Sequence, residues 1–209
     1  MHRPEFLENE PKLAIEAKQY SQIRMLLGYI RTAGLGTWPQ LNRTLDRHYD
    51  ETLTLVGEFR KLGYPIPGFD ILSSGIFLGA TNDVGLQAKV LERLEGSDYL
   101  SPEGSQILIC ITEQIRGVDD LSHFRRETPA YGEVLFSHVE AAREHLRQAT
   151  QPLEGEKAAA LLLAVEGIAL GASTDDIFRK QYLDEIKREY VFNSAIDVEM
   201  FEKMERRDS

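Results

Sequence analysis

Cysteine is almost missing from this sequence, because Cys110 is the only one among 209 residues. A single thiol can form neither an intramolecular disulfide nor a cluster of thiolate metal ligands. Cys110 lies in the apolar run 107–111, which offers neither an activating cation nor a helix terminus, so we do not expect a nucleophilic thiolate there. The sequence instead predicts a small buried hydrophobic side chain at this position.

Long apolar runs are missing too. The longest, 158–165, is far shorter than the roughly 20 residues that a membrane-spanning helix needs. Residues 1–12 contain Glu5, Glu8 and Glu10 and lack the apolar stretch of a signal peptide. These two absences predict a cytoplasmic protein without a membrane partner.

Positive charge is also in short supply. The chain has 24 Lys and Arg residues against 34 Asp and Glu residues, which gives a net charge of −10. Proteins bind nucleic acid through dense positive charge, and short basic pairs such as Arg179-Lys180 have acidic neighbours, as is typical of a solvated helix face. The charge balance therefore predicts no nucleic-acid partner and favours, if any, a basic protein partner.

Familiar catalytic motifs are absent. The sequence has no glycine-rich phosphate loop and no serine in a G-x-S-x-G turn. Asp46, His48 and Asp50 resemble a metal motif, but residues two apart on a helix point about 200° away from each other. These three side chains therefore cannot converge on a metal, and no cofactor is expected.

Helical periodicity, by contrast, extends along nearly the whole chain. Apolar residues recur at steps of three and four, and residues that cap helices stand at the starts of most such segments. This pattern predicts an all-α, single-domain bundle of about seven or eight helices over residues 1–209, with no internal repeat and one candidate subdomain break at 63–70. The predicted helices are 11–33, 37–63, 81–96, 101–115, 128–149, 156–170, 174–190 and 196–206.

Two consecutive segments do not fit this pattern. Residues 64–70 contain two prolines and a glycine, which predict a rigid loop. Residues 71–80 fit either a short buried helix or a strand. Gly75 and Gly79 lie one helical turn apart, so a helix here would allow another helix to approach closely.

A few ionisable residues fall inside the apolar stripes of the predicted helices or, in the case of His48, at the border of one. Burying a carboxylate without a partner is costly, so Glu166 in the apolar helix 156–170 needs one. The first interpretation is a structural polar network. The alternative is a metal or small-ligand site between helices, although the Glu-x-x-His pair usual in such bundles is missing. The inward residues are Glu16, His48, His138, His145 and Glu166.

The leading functional hypothesis is a non-catalytic adaptor, regulator or inhibitor that contacts a partner protein or forms a homo-oligomer. Its rival is a metal- or small-ligand-binding helical-bundle enzyme or sensor that uses the inward Glu and His residues. Association needs exposed aromatic or methionine anchors, which the loop 64–69 and the C-terminal segment contain. The candidate anchors are Tyr64, Ile66, Phe69, Phe192, Met200, Phe201 and Met204.

Overall fold

The computed structural model describes residues 18–30, 38–61, 67–116, 155–173 and 176–189. These residues form seven helices, and 92% of them are helical with no strand among them. The predicted all-α bundle is confirmed. The helices are α1 (18–30), α2 (Trp38–Lys61), α3 (Pro67–Ala80), α4 (Val84–Gly96), α5 (Pro102–Arg116), α6 (Gly155–Ala172) and α7 (Asp176–Glu189).

The start of α3 is where the helix bounds depart most from the prediction. This helix begins at Pro67, inside the segment predicted as a loop, and continues through 71–80. Proline suits the first helical position because the amide hydrogen that it lacks would have no partner there. The loop prediction is therefore wrong from residue 67 onward, and 71–80 is a helix. The predicted helices 128–149 and 196–206 lie outside the described residues.

Side chains hold the turn between α3 and α4. Asp83 caps α4, since its Oδ1 accepts the amide of Leu86 at 2.9 Å. Thr81, where the predicted helix 81–96 was to begin, instead accepts the amide of Asp83 at 3.0 Å. It also donates to Oδ1 of Asn42 at 3.0 Å, so the turn is tied to α2.

The core is built around α3 and α6, whose residues are almost all buried. Gly75 and Gly79 let the two backbones touch. A Cβ on Gly75 would overlap the carbonyl oxygen of Ala164, and a Cβ on Gly79 would overlap that of Ile168. The close approach predicted at these two glycines is confirmed, and the helix that approaches is α6.

This contact has two-fold symmetry within the chain. A Cβ on Gly167 or Gly171 of α6 would likewise run into the carbonyl oxygens of Leu72 and Ile76, each 92 residues before its counterpart in the other helix. Over the same offset, six of nine residues in 75–83 are identical to those in 167–175. A nine-residue segment around the paired glycines therefore recurs in part within the chain, where no internal repeat was expected. The identical pairs are Gly75/Gly167, Ile76/Ile168, Leu78/Leu170, Gly79/Gly171, Ala80/Ala172 and Asp83/Asp175.

The remaining helices cover this central pair. α2, α4 and α5 pack on α3, while α5 and α7 pack on α6. Aromatic rings fill the interface between α2 and α3, where Tyr49 meets Phe77 edge-on at 5.1 Å and Phe59 meets Phe69 at 5.9 Å between ring centroids. Of the helices described, none combines the length and apolarity needed to cross a membrane.

Cys110 differs from its expected environment. Its side chain is exposed, whereas Leu108 and Ile111 on the same helix are buried. Residues two apart on a helix face nearly opposite sides, so burial of Leu108 turns Cys110 toward solvent. The apolar neighbours in sequence therefore do not bury this thiol.

Candidate functional site

A ring stack joins α1 to α2. The rings of Tyr29 and His48 lie 4.3 Å apart between centroids and 15° from parallel. His48 is only 8% exposed, because it borders the same stripe of α2 that buries Leu41 and Leu45. The sequence placed His48 at this border, and the structure shows the neighbour that covers it.

A carboxylate orients the His48 ring. Nδ1 of His48 lies 2.7 Å from Oε2 of Glu51, one helical turn later. A carboxylate only accepts hydrogen bonds, so in the neutral ring Nδ1 carries the proton and Nε2 is left as an acceptor. Nε2 is buried, and the described part of the chain offers it no hydrogen-bond partner. Buried polar atoms of this kind normally have a partner, so this nitrogen is a candidate contact for a ligand.

A small cavity lies beside this histidine, between α1, α2 and α3. Its volume is about 100 Å³. An apolar cavity of about 150 Å³ holds a benzene molecule, so this one admits part of one side chain and is too small for an organic cofactor. We call it the Tyr29–His48 pocket. It is lined by Gln22, Ile23, Met25, Leu26, Tyr29, His48, Glu51, Thr52, Leu55, Phe69 and Ser73.

Two apolar side chains lie exposed among the residues that line this pocket. Met25 is 46% exposed and Tyr29 is 43% exposed, and they lie one turn apart on α1. Both residues lie off the apolar stripe of α1 that contains Ile23, Leu27 and Ile30, so helical periodicity does not single them out. Their position off the stripe was the available signal, since an apolar residue on the outer face of a helix is free to contact a partner.

The residues proposed as a metal or ligand site do not come together among those described. His48 lines the pocket, whereas Glu166 is buried in α6, 1% exposed, and does not line it. Glu16, His138 and His145 lie outside the described residues. Within the described ranges, no group of three or more His, Cys, Asp or Glu side chains is placed to hold a metal ion.

Among the proposed protein-binding anchors, only one lies within the described residues, and it is buried. Phe69 is 2% exposed, because it packs against Phe59 and also lines the Tyr29–His48 pocket. It is a core residue and not the exposed anchor that was expected. The other anchors, Tyr64, Ile66, Phe192, Met200, Phe201 and Met204, lie outside the described residues.

A second cavity lies between α1 and α7. It has a volume of about 340 Å³ and three basic side chains in its lining. Tyr20 at its edge donates to Oδ1 of Asp184 at 2.6 Å, and burial together with this hydrogen bond raises the pKa of Tyr20. We call it the α1–α7 cleft. It is lined by Tyr20, Arg24, Leu27, Gly28, Arg179, Lys180 and Leu183.

Arg179 is the buried member of this cleft. It is 3% exposed, and its Nε and Nη1 donate to the carbonyl oxygens of Leu170 at 3.1 Å and Leu27 at 3.4 Å. The sequence predicted a solvated basic face for Arg179-Lys180. That prediction is wrong for Arg179, because its guanidinium turns inward to the last turn of α6 while Lys180 stays exposed.

No protein-family model, curated protein or solved structure shows a significant similarity to this chain.

Proposed function

We propose that this protein is a helical adaptor or regulator that binds a partner protein through the Tyr29–His48 pocket. The observation that carries the proposal is the buried, carboxylate-oriented Nε2 of His48 beside a pocket that His48 lines together with exposed apolar side chains. Such a pocket offers one directional hydrogen bond together with apolar contact. That combination suits a single anchoring side chain of a partner.

The exposed residues beside the pocket support a protein as the ligand. Methionine and tyrosine are enriched at protein interfaces, and a few anchors in small pockets supply most of the binding energy. Met25 and Tyr29 would supply apolar contact around an anchor that enters the pocket. The pocket is too small to bury a drug-sized molecule, for which cavities of about 300 Å³ or more are usual.

The chemistry of the pocket specifies the anchor. Because Nε2 of neutral His48 accepts, the anchor must carry a donor at its tip, as tyrosine, tryptophan and arginine do. The side chain of Glu51 is 58% exposed beside the pocket, and the whole chain has a net charge of −10. Complementary charge then favours a basic segment around the anchor.

The test uses short lysine-rich peptides that differ only in a central residue, which is tyrosine or phenylalanine. The phenolic hydroxyl is the only difference between the two, so we expect the tyrosine peptide to bind about tenfold more tightly, equivalent to about 1.4 kcal/mol. Titration calorimetry measures both affinities. His48→Leu should abolish the preference for tyrosine, and Tyr29→Ala should weaken binding of both peptides.

A matched control is Val84→Ser, which removes an apolar side chain that is 60% exposed on α4. It should bind both peptides like the native chain. Equal affinity of the native chain for the two peptides, or unchanged binding by Tyr29→Ala, would contradict the proposal.

The same nitrogen also favours a second candidate function, a small-ligand or metal sensor. Proteins commonly orient a metal-binding histidine by bonding its other ring nitrogen to a carboxylate, as Glu51 does here. Zinc titration of the full chain separates the two candidates. Stoichiometric zinc binding that His48→Leu abolishes would support the metal function, and no zinc binding would leave the adaptor proposal favoured.

A further inference from the structure

The α1–α7 cleft concentrates positive charge on a protein that is acidic overall. Arg24, Arg179 and Lys180 line it, and no carboxylate is among its lining residues. Asp184 lies at its edge and accepts the hydroxyl of Tyr20. With 24 basic residues spread among 34 acidic ones, three cations around one cavity stand out as a local excess.

At the offset of 92 residues, the first half of the chain has uncharged residues where the cleft has two of its cations. Arg179 and Lys180 correspond, at the offset of 92 residues, to Gln87 and Ala88 of α4. Gln87 is buried and its Nε2 donates to the carbonyl oxygen of Thr81 at the end of α3, at 3.2 Å. Arg179 donates its Nε to the carbonyl oxygen of Leu170 in the last turn of α6, at 3.1 Å. Gln87 thus bonds a helix end with a neutral amide, whereas Arg179 brings a positive charge and a second bond, to Leu27 of α1.

The walls of the cleft suit a small organic molecule. Leu27 and Leu183 are apolar, and the guanidinium of Arg24 lies 6.0 Å from the centre of the Tyr20 ring. A Cβ on Gly28 would meet nothing within 4 Å, so the wall is open at that point. The volume of about 340 Å³ falls at the lower end of the range for small-molecule sites, roughly 300–1,000 Å³.

We propose that the α1–α7 cleft binds the phosphate group of a small phosphorylated molecule. Arg179 supplies a fixed charge, held in place by backbone carbonyls. Arg24 and Lys180 are exposed and close on the phosphate oxygens from the rim. Arginine bonds phosphate through two parallel N–H groups and lysine acts as a point charge, so a dianion is matched better than a single carboxylate. The apolar wall then receives the organic part.

Titration calorimetry of the full chain tests this, with inorganic phosphate, AMP and glucose 6-phosphate as probes and adenosine as the uncharged comparison. At constant ionic strength, we expect phosphate-bearing probes to bind and adenosine not to bind. Tighter binding of either ester than of inorganic phosphate identifies a phosphorylated metabolite as the ligand class. Equal affinities identify free phosphate as the ligand and overturn the role given to the apolar wall.

Substitutions at two exposed residues test the proposal, because neither substitution alters the buried contacts. We expect the dissociation constant to rise about tenfold in Arg24→Gln and also in Lys180→Ala, which introduces the residue found at position 88. The control is Lys157→Gln, which removes a lysine that is paired with Asp98 at 3.0 Å. This control should not change the dissociation constant. The proposal is overturned if no phosphate probe binds. It is also overturned if the double variant Arg24→Gln/Lys180→Ala binds phosphate as tightly as the native chain does. Tyr29→Ala should leave phosphate binding intact, so this site and the peptide site fail independently.

Discussion

At the scale of single residues, a buried carboxylate forms a bidentate ion pair between α3 and α4. Asp70 is fully buried in the first turn of α3, and its two oxygens accept from Nη1 and Nη2 of Arg93 at 2.5 Å each. Burial alone would lower the pKa of Arg93, but the hydrogen bonds and charge of Asp70 raise it, so the guanidinium stays charged. Burial also raises the pKa of Tyr49 and of Tyr99 beside the pair. The carboxylate of Asp70 is therefore shielded from water, and loss of its charge would lower the free energy of unfolding.

The first prediction follows from that burial. Asp70→Asn removes the negative charge and leaves Arg93 with an uncompensated charge, so we expect the free energy of unfolding to fall by about 3 kcal/mol. Urea denaturation of the variant and the native chain measures it. Lys89→Gln is the control, since Lys89 bridges Asp46 and Asp50 at an exposed site and should cost about 0.5 kcal/mol or less. Similar losses for both variants would show that the buried pair does not stabilise the fold.

The sequence predicted the burial of some residues correctly and that of others wrongly. His48 was placed at the border of an apolar stripe, because helical periodicity alone determines which side of α2 is covered. Asp70 was assigned to a loop, and the partner of a buried charge depends on which helices meet, which periodicity does not encode. Arg179 was misjudged for the same reason, since its basic neighbour and nearby acids looked like a solvated surface. The Tyr29–His48 pocket needed the packing of α1 on α2.

At the scale of helices, the glycines determine how close α3 and α6 come. Gly79 and Gly171 have no side chain, so the backbone of each helix lies against the carbonyl oxygens of the other. Glycine loses more conformational freedom on folding than alanine does, which makes these helices weak in isolation. Tight packing of backbone and small side chains along the whole of α3 and α6 offsets this low intrinsic helix stability. The pair should therefore tolerate almost no added volume.

The second prediction tests this intolerance. In Gly79→Ala, the new methyl group overlaps the carbonyl oxygen of Ile168, and backbone cannot rotate aside as a side chain can. We expect a loss of about 3 kcal/mol in the free energy of unfolding, the upper end of what overpacking usually costs, measured by chemical denaturation.

The matched control is Gly57→Ala on α2, where a Cβ would meet nothing within 4 Å. Alanine favours helix over glycine, so this change should stabilise the protein by about 0.5–1 kcal/mol. The free energy of unfolding should therefore fall in Gly79→Ala and rise in Gly57→Ala. A stabilising Gly79→Ala would mean that α3 and α6 do not approach as closely as described.

The helix scale was the one most open to prediction from sequence. Caps and periodicity placed α2, α5 and α6 within a few residues of their observed bounds. Gly75 and Gly79 also predicted a close neighbour, but not its identity. α6 is apolar on all sides, so its sequence shows no face that points to a partner. The sequence match was not predicted because it is confined to the short stretches 75–83 and 167–175. Outside these stretches, most residues at the same offset differ.

At the scale of the whole molecule, the repeat makes the core a two-fold interface within one chain. Gly75 meets Ala164 and Gly167 meets Leu72, so each helix presents the same patch to the other. Such isologous contacts are the rule in symmetric homodimers, where residue i meets j and j meets i. Among the described residues, α3 and α6 pack as the central helices of a symmetric dimer joined into one chain would pack.

The third prediction follows from this symmetry. A fragment of residues 1–100 contains α1 to α4 and lacks the partner of α3, so its glycine-lined face is exposed. Because that face is self-complementary, we expect the fragment to form a helical homodimer in which α3 packs on α3. Light scattering gives the mass and circular dichroism the helix content. In the same fragment, Gly79→Leu should block dimerisation and lower helicity, whereas Gly57→Ala should dimerise normally. A helical fragment that stays monomeric, or a dimer that Gly79→Leu does not disturb, would show that the two halves pack only as α3 on α6 and that the repeated glycines do not form a self-complementary surface.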